Sequence, residues 1–249
     1  MFHLADDFIR EVRALQQLAG LPFVMHAITH ELGFRFFALI HHDELEPAKS
    51  GTIDVSEYPD AVRERLFRQR LFRRDPIIRA CIFADGAFLW SELPNIIKLD
   101  RHDRKSLDHG RTVGLNEGIT VPFVRIGERI GSCTLAGIKQ PDHAGRYLGL
   151  VQLIGIFAFQ AARRLTRSQL SLPADPPRLH PRPRDCVVLA GRGYSNKRIA
   201  RALDLTPRTV DSYLTEARRL FDAHDRTELV VSAVLAGEVD LHELRRQPE

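Results

Sequence analysis

Between residues 5 and 31 the apolar positions fall three or four apart: Phe8, Val12, Leu15 and Leu18, then Phe23 and Ala27. That spacing gathers them on one stripe and predicts helical structure across the segment. After Gly33 the pattern becomes a short aromatic and apolar run, Phe34–Ile40, which predicts a buried strand. Ala61–Leu71 returns to a charged amphipathic helix that ends before Asp75-Pro76. Ile119–Val124 and Arg129–Ala136 are strand-like runs on either side of a polar, glycine-bearing turn at Arg125–Glu128, and together predict a hairpin. Tyr147–Leu165 is an apolar helix tipped by Arg163 and Arg164, cations suited to a helix C-terminus. This succession predicts an α+β domain, an antiparallel sheet with helices on both faces.

The pattern breaks at Ser168–Pro183, where five prolines resist helix and strand alike. The reading is a first domain over residues 1–167, a linker over 168–178 and a second, all-helical domain over 179–249. In the second, helices are expected at about 181–191, 196–203 and 207–221. Ser195 and Thr206 stand at the N-cap positions of the last two, and Pro207 follows at the first helical position, where its missing N–H is harmless. Ile199, Ala200, Leu203, Leu205, Val210, Leu214, Ala217 and Phe221 form the apolar face.

Composition narrows the class. The 249 residues are 44% hydrophobic and 27% charged, with no low-complexity tract, as expected of globular domains. No apolar run reads as a membrane span, and Asp6, Asp7 and Glu11 occupy the place of a signal segment. Cys81, Cys133 and Cys186 are scattered, without the pairing of a disulfide framework or a zinc site. A reduced, cytoplasmic protein with no membrane partner is expected. Charge is concentrated: residues 178–220 hold ten basic and four acidic side chains, whereas 221–249 hold three basic and seven acidic. A short basic helical segment is the footprint of a DNA-binding element.

Two short helices and a tight turn, the second helix rich in hydroxyls and arginines, suit insertion into a major groove. The stretch SNKRIARALDLTPRTVDSYL resembles the LuxR-type helix-turn-helix, and the match runs without gaps from Leu179 to Phe221. The resemblance implies that Asp211, Ser212 and Thr215 face base edges, while Lys197, Arg208, Thr209 and Arg218 lie where phosphates are contacted. Three positions depart from the family pattern: Asp211, where a base is common; Pro183, where glutamate is usual; and Asp204, where glycine is usual.

The first domain resembles the autoinducer-binding domain of LuxR-type quorum-sensing receptors, through Tyr58, Asp75-Pro76, Trp90, Gly118 within GLNEGITVPF, and Thr134. The resemblance implies a pocket for a small-molecule signal, an acyl-homoserine lactone or another amphiphile. In it Asp75 accepts the ligand amide N–H, Tyr58 donates to the acyl carbonyl, Thr134 reaches the same polar head, and an aromatic covers one side. The family's lactone-holding tryptophan falls at Val62, and a tyrosine one turn later falls at Leu66. Neither replacement can donate, so a lactone carbonyl buried there loses a hydrogen bond worth roughly 1–3 kcal/mol. Three readings follow: a ligand with a less polar head, weak lactone binding, or a pocket filled by its own side chains. Asp75 before proline also suits a helix or turn cap, and Trp90 also suits plain core.

His26 and His30 have metal-compatible spacing on a helix, but no third ligand is evident in the sequence and a surface or packing role is the reading. No nucleophile elbow, phosphate-binding glycine loop or cysteine–histidine motif is present, so no enzyme, cofactor or metal is expected. The expected function is a DNA-binding transcription regulator controlled by a small amphiphile, working as a homodimer on double-stranded DNA. The alternative is a ligand-independent regulator or dimerisation partner that sequesters related receptors.

Overall fold

A computed structural model describes residues 2–42, 52–64, 74–125, 128–167 and 177–245. The chain forms two compact units that part near Pro173. In the first unit α1 (Phe2–Ala14) and α2 (Leu21–Glu31) flank a 3-10 turn at Leu18–Gly20. They precede β1 (Phe36–His41), β2 (Asp54–Ser56) and a helical turn, α3 (Asp60–Arg63). From residue 65 onward the helix expected over Ala61–Leu71, Leu66 included, lies outside the described residues. Next come α4 (Pro76–Ala80), β3 (Phe88–Leu89), α5 (Leu93–Ile96), α6 (Arg101–Thr112), β4 (Gly118–Phe123), β5 (Gly131–Ala136) and α7 (Leu148–Arg167).

The strands form one antiparallel sheet in the order β2-β1-β5-β4-β3. The expected hairpin is its centre, with Thr120 opposite Thr134 and Val121 opposite Cys133. Successive strand residues point to opposite faces, and this sheet uses the alternation to separate two environments. Phe37, Leu39, Ile119, Val121, Cys133 and Leu135 join the main core with α1, α2 and α7. Phe36 and Ala136 on the other face meet a smaller cluster that includes Val62, Ala80, Trp90, Leu93 and Leu115. That second face also carries Ala38, Ile40, Ser132 and Thr134, and it holds the cavity described below.

The stretch Pro141–Thr166, 26 residues, is long and apolar enough to cross a membrane by composition, which corrects the expectation that no run reaches that length. Its apolar side is the core of this unit: Val151, Ile154, Ala158, Phe159 and Ala162 are all buried with the sheet. Arg164, expected to serve its own helix end, instead donates to the carbonyls of Val12 and Leu15 at the C-terminal end of α1, at 3.2 and 3.0 Å. The three cysteines are buried free thiols.

The second unit contains α8 (Pro181–Gly191), α9 (Asn196–Leu203), α10 (Pro207–Leu220) and α11 (Arg226–Leu235) around Val187, Ile199, Val210, Leu214, Leu229 and Ala233. The Ser195 hydroxyl accepts from Arg198 N, and the Thr206 hydroxyl accepts from Thr209 N at 3.1 Å, so both caps form. The turn between α9 and α10 runs through Asp204 at φ 53° and ψ 51°, a left-handed conformation.

Candidate ligand pocket and DNA-binding surface

Tyr58, Val62, Asp75, Trp90 and Thr134 all line one cavity. They come from the chain after β2, from α3, from the cap of α4, from the 3-10 turn after β3, and from β5. Ala38 and Ile40 from β1, Ile77 and Ile78 from α4, and Leu107 and Leu115 add apolar wall. Leu66 is outside the described residues.

Asp75 does two things. Its Oδ1 accepts from the amides of Ile77 and Ile78 at 2.9 and 3.1 Å, capping α4 with Pro76 at its first position. The same residue faces the cavity. Burial first, and then the Asp75 carboxylate, push the Tyr58 phenol well above its usual range, while a hydrogen bond with Thr134 pulls the other way. Tyr58 is therefore a neutral hydroxyl, able to donate, throughout the physiological range. Cys81 is pushed up to about 12 by the same two causes, burial and then Asp75, so its thiol stays protonated beside the cavity.

Trp90 does not aim its N–H at the cavity space. The indole donates to Thr120 Oγ1 at 3.0 Å, and Thr120 Oγ1 lies 2.9 Å from Thr134 Oγ1. Thr120 is fully buried, so this run of hydrogen bonds fixes the Thr134 hydroxyl on the cavity wall. Trp90 can approach only because residue 118 is glycine: a Cβ there would stand 2.8 Å from the indole ring and 3.0 Å from Leu135 O. Thr120 was not singled out in the sequence, nor were Ser132, Ser106 and His109, which also line the cavity. The signal for the strand residues was present: Ser132 and Thr134 are two apart among apolar neighbours, and Thr120 sits opposite Thr134 in the hairpin. Ser106 and His109 belong to α6, a helix too polar to show an apolar stripe.

In the second unit α10 buries Val210, Leu214 and Ala217 and turns Arg208, Asp211, Ser212 and Arg219 outward. Thr215 is half-buried on the same side and accepts from Arg218 at 3.2 Å. Asp211 accepts from the Asn196 amide at 3.2 Å, and Asn196 in turn accepts from Arg226 at 2.8 Å. This joins α9, α10 and α11. Lys197 is exposed on α9, while Thr209 is half-buried with its hydroxyl 2.8 Å from that of Thr206.

Comparison with known proteins agrees with this division. Residues 20–162 match the autoinducer binding domain family, and residues 178–233 match the bacterial regulatory proteins of the luxR family. The putative HTH-type transcriptional regulator y4qH of Sinorhizobium fredii is 24% identical over 203 residues, covering 80% of this chain and 61% of that protein, so the chain spans under two thirds of its length. The HTH-type quorum sensing-dependent transcriptional regulator RpaR of Rhodopseudomonas palustris is 30% identical over 167 residues, 67% of each chain. In fold, the crystal structure of Escherichia coli SdiA is similar with a TM-score of 0.63 at 15% identity, covering 95% of this chain and 98% of that one.

Proposed function

The chain belongs to the LuxR family of autoinducer-binding bacterial regulatory proteins, and we propose that a small amphiphile in the cavity of its first unit governs how its second unit binds operator DNA. Its family consists of transcription regulators, not enzymes. One observation carries the ligand reading: Tyr58, Asp75 and Thr134, from three separate segments, line one largely apolar cavity. A small amphiphile needs this combination of apolar wall and a few fixed polar groups.

The head group differs from a standard homoserine lactone. Val62 lines the cavity and stands where the resemblance puts the lactone-holding tryptophan, and Trp90 already spends its N–H on Thr120. A buried lactone carbonyl at this wall would lose roughly 1–3 kcal/mol. The preferred ligand has one polar head, held by Asp75, Tyr58 and Thr134, and an apolar body. Val62→Trp restores a donor and should raise lactone affinity. Mass spectrometry of small molecules released from purified protein tests the reading. The expected result is an amphiphile enriched in wild type and lost with Tyr58→Phe; equal recovery from both proteins would overturn it.

For DNA, Asp211, Ser212 and Thr215 are assigned to base edges, and Lys197, Arg208, Thr209 and Arg218 to phosphates. The chain acts as a homodimer in the cytoplasm, reading two half-sites about one helical turn apart. Support for pairing comes from the outer side of α11, where Val231 and Leu235 are exposed. Val62 is the residue that speaks for the alternative of a ligand-independent sequestering partner; the match to autoinducer-binding and luxR-family regulators weighs against it.

A further inference from the structure

His26 and His30 lie one turn apart on α2, on its exposed side, with ring centroids 4.3 Å apart. The fold adds a third group that sequence spacing could not supply. Glu57 follows β2, and its backbone amide donates to Phe37 O at 2.8 Å, which holds it beside the sheet edge next to α2. Its Oε2 stands 2.8 Å from His26 Nδ1. One ligand atom from each of His26, His30 and Glu57 lies within 4.8 Å of the other two.

We propose that these three side chains form a binding site for a divalent transition ion of the zinc type, outside the signal cavity. Two imidazoles and one carboxylate suit Zn²⁺, Co²⁺, Ni²⁺ or Cu²⁺, whereas Mg²⁺ and Ca²⁺ call for oxygen ligands throughout. A tetrahedral ion bonded at about 2.0–2.2 Å to each group needs donor atoms a little over 3 Å apart. Small side-chain rotations from the present spacing reach that separation, and the ion takes the place of the direct contact between His26 and Glu57. All three residues are exposed, so an ion enters without opening the core, and water completes its coordination. The site clamps α2 to the segment that continues into Tyr58, a wall of the signal cavity. An ion bound there stabilises the first unit by mass action.

Calorimetric titration of the full, tag-free chain with Zn²⁺, repeated with Co²⁺ while following its visible absorption, tests the site. One ion per chain is expected, with the cobalt bands of a nitrogen- and oxygen-ligated ion and a raised melting temperature. His30→Ala and Glu57→Gln should each weaken binding at least tenfold and abolish the thermal shift, while His224→Ala, at an unrelated exposed histidine, should leave both unchanged. Since all three positions are on the surface, circular dichroism of the metal-free variants should match wild type. Absence of a bound ion in wild type, or affinity that survives either substitution at the site, would overturn the proposal.

Discussion

Single residues carry consequences that can be measured apart from any ligand. His42 closes β1 with its Nε2 2.9 Å from Ser132 Oγ, while its Nδ1 is buried without a hydrogen-bond partner. Burial, and then the neighbouring His41, lower its pKa from 6.5 to about 4. The unfolded chain therefore takes up a proton near pH 6.5 that the native chain refuses until about pH 4. Stability contributed by the neutral ring is present above pH 6.5 and is lost as pH falls through that window, by about 1.4 kcal/mol per unit at the limiting slope. Urea unfolding at pH 7, 6 and 5 should show this decline, and His42→Asn should flatten it. Asp204 makes the opposite kind of prediction. It occupies a left-handed turn at φ 53°, where a glycine has no Cβ penalty. Asp204→Gly should raise the stability of the second unit by about 0.5–1 kcal/mol, read as a higher melting temperature. That departure was legible in the sequence as an aspartate where the family has glycine; the dihedral supplies its physical meaning. His42 was not legible in the same way, because nothing local tells whether a histidine at a strand end meets water or core.

Among the elements, the hairpin and the three helices of the second unit were readable because their signals are local. Turn chemistry separates β4 from β5, and Ser195, Thr206 and Pro207 mark the helix starts. Two of the helices that wall the cavity, α4 and α6, were not readable. α4 is only five residues, Pro76–Ala80, and α6, Arg101–Thr112, buries Asp103 in place of an apolar stripe. An ion pair ties these two beside their shared apolar cluster: Arg79 on α4 donates to both oxygens of Asp103 at 2.8 and 3.0 Å, and Asp103 is 1% exposed. Such a pairing depends on residues 24 apart and leaves no periodic trace in the sequence. Arg79→Met removes the charge partner of a buried carboxylate that keeps its bond from the Asp100 amide; breaking a wholly buried pair costs about 3–5 kcal/mol. Arg79 is itself partly exposed, so about 2–3 kcal/mol is expected in chemical denaturation. Ile77 and Ile78 on α4 and Leu107 on α6 face the cavity, so ligand affinity should fall with it. The aspartate at 75 shows the same limit from another side. A sequence offers either a cap or a ligand anchor at that position, whereas the fold lets one side chain cap α4 and face the cavity.

For the whole molecule, the two activities should separate by substitution. Lys197→Ala removes an exposed cation from α9 and should weaken binding to every duplex, lowering the slope of log affinity against log salt by about 1. Thr215→Ala should change sequence preference instead, and fluorescence anisotropy with varied duplexes distinguishes the two outcomes. Neither change should alter ligand binding by the first unit. The central claim, that the cavity is a signal site anchored at Asp75, is tested most directly by thermal unfolding of wild type and Asp75→Asn against acyl amphiphiles with lactone and non-lactone heads. Asparagine keeps the oxygen that caps α4 and removes the charge, so the fold is retained while the anchor is lost. The account predicts that a non-lactone amphiphile raises the wild-type melting temperature and binds Asp75→Asn at least tenfold more weakly, a loss of about 1.4 kcal/mol. Equal shifts in the two proteins, or no shift in wild type with any amphiphile, would contradict it.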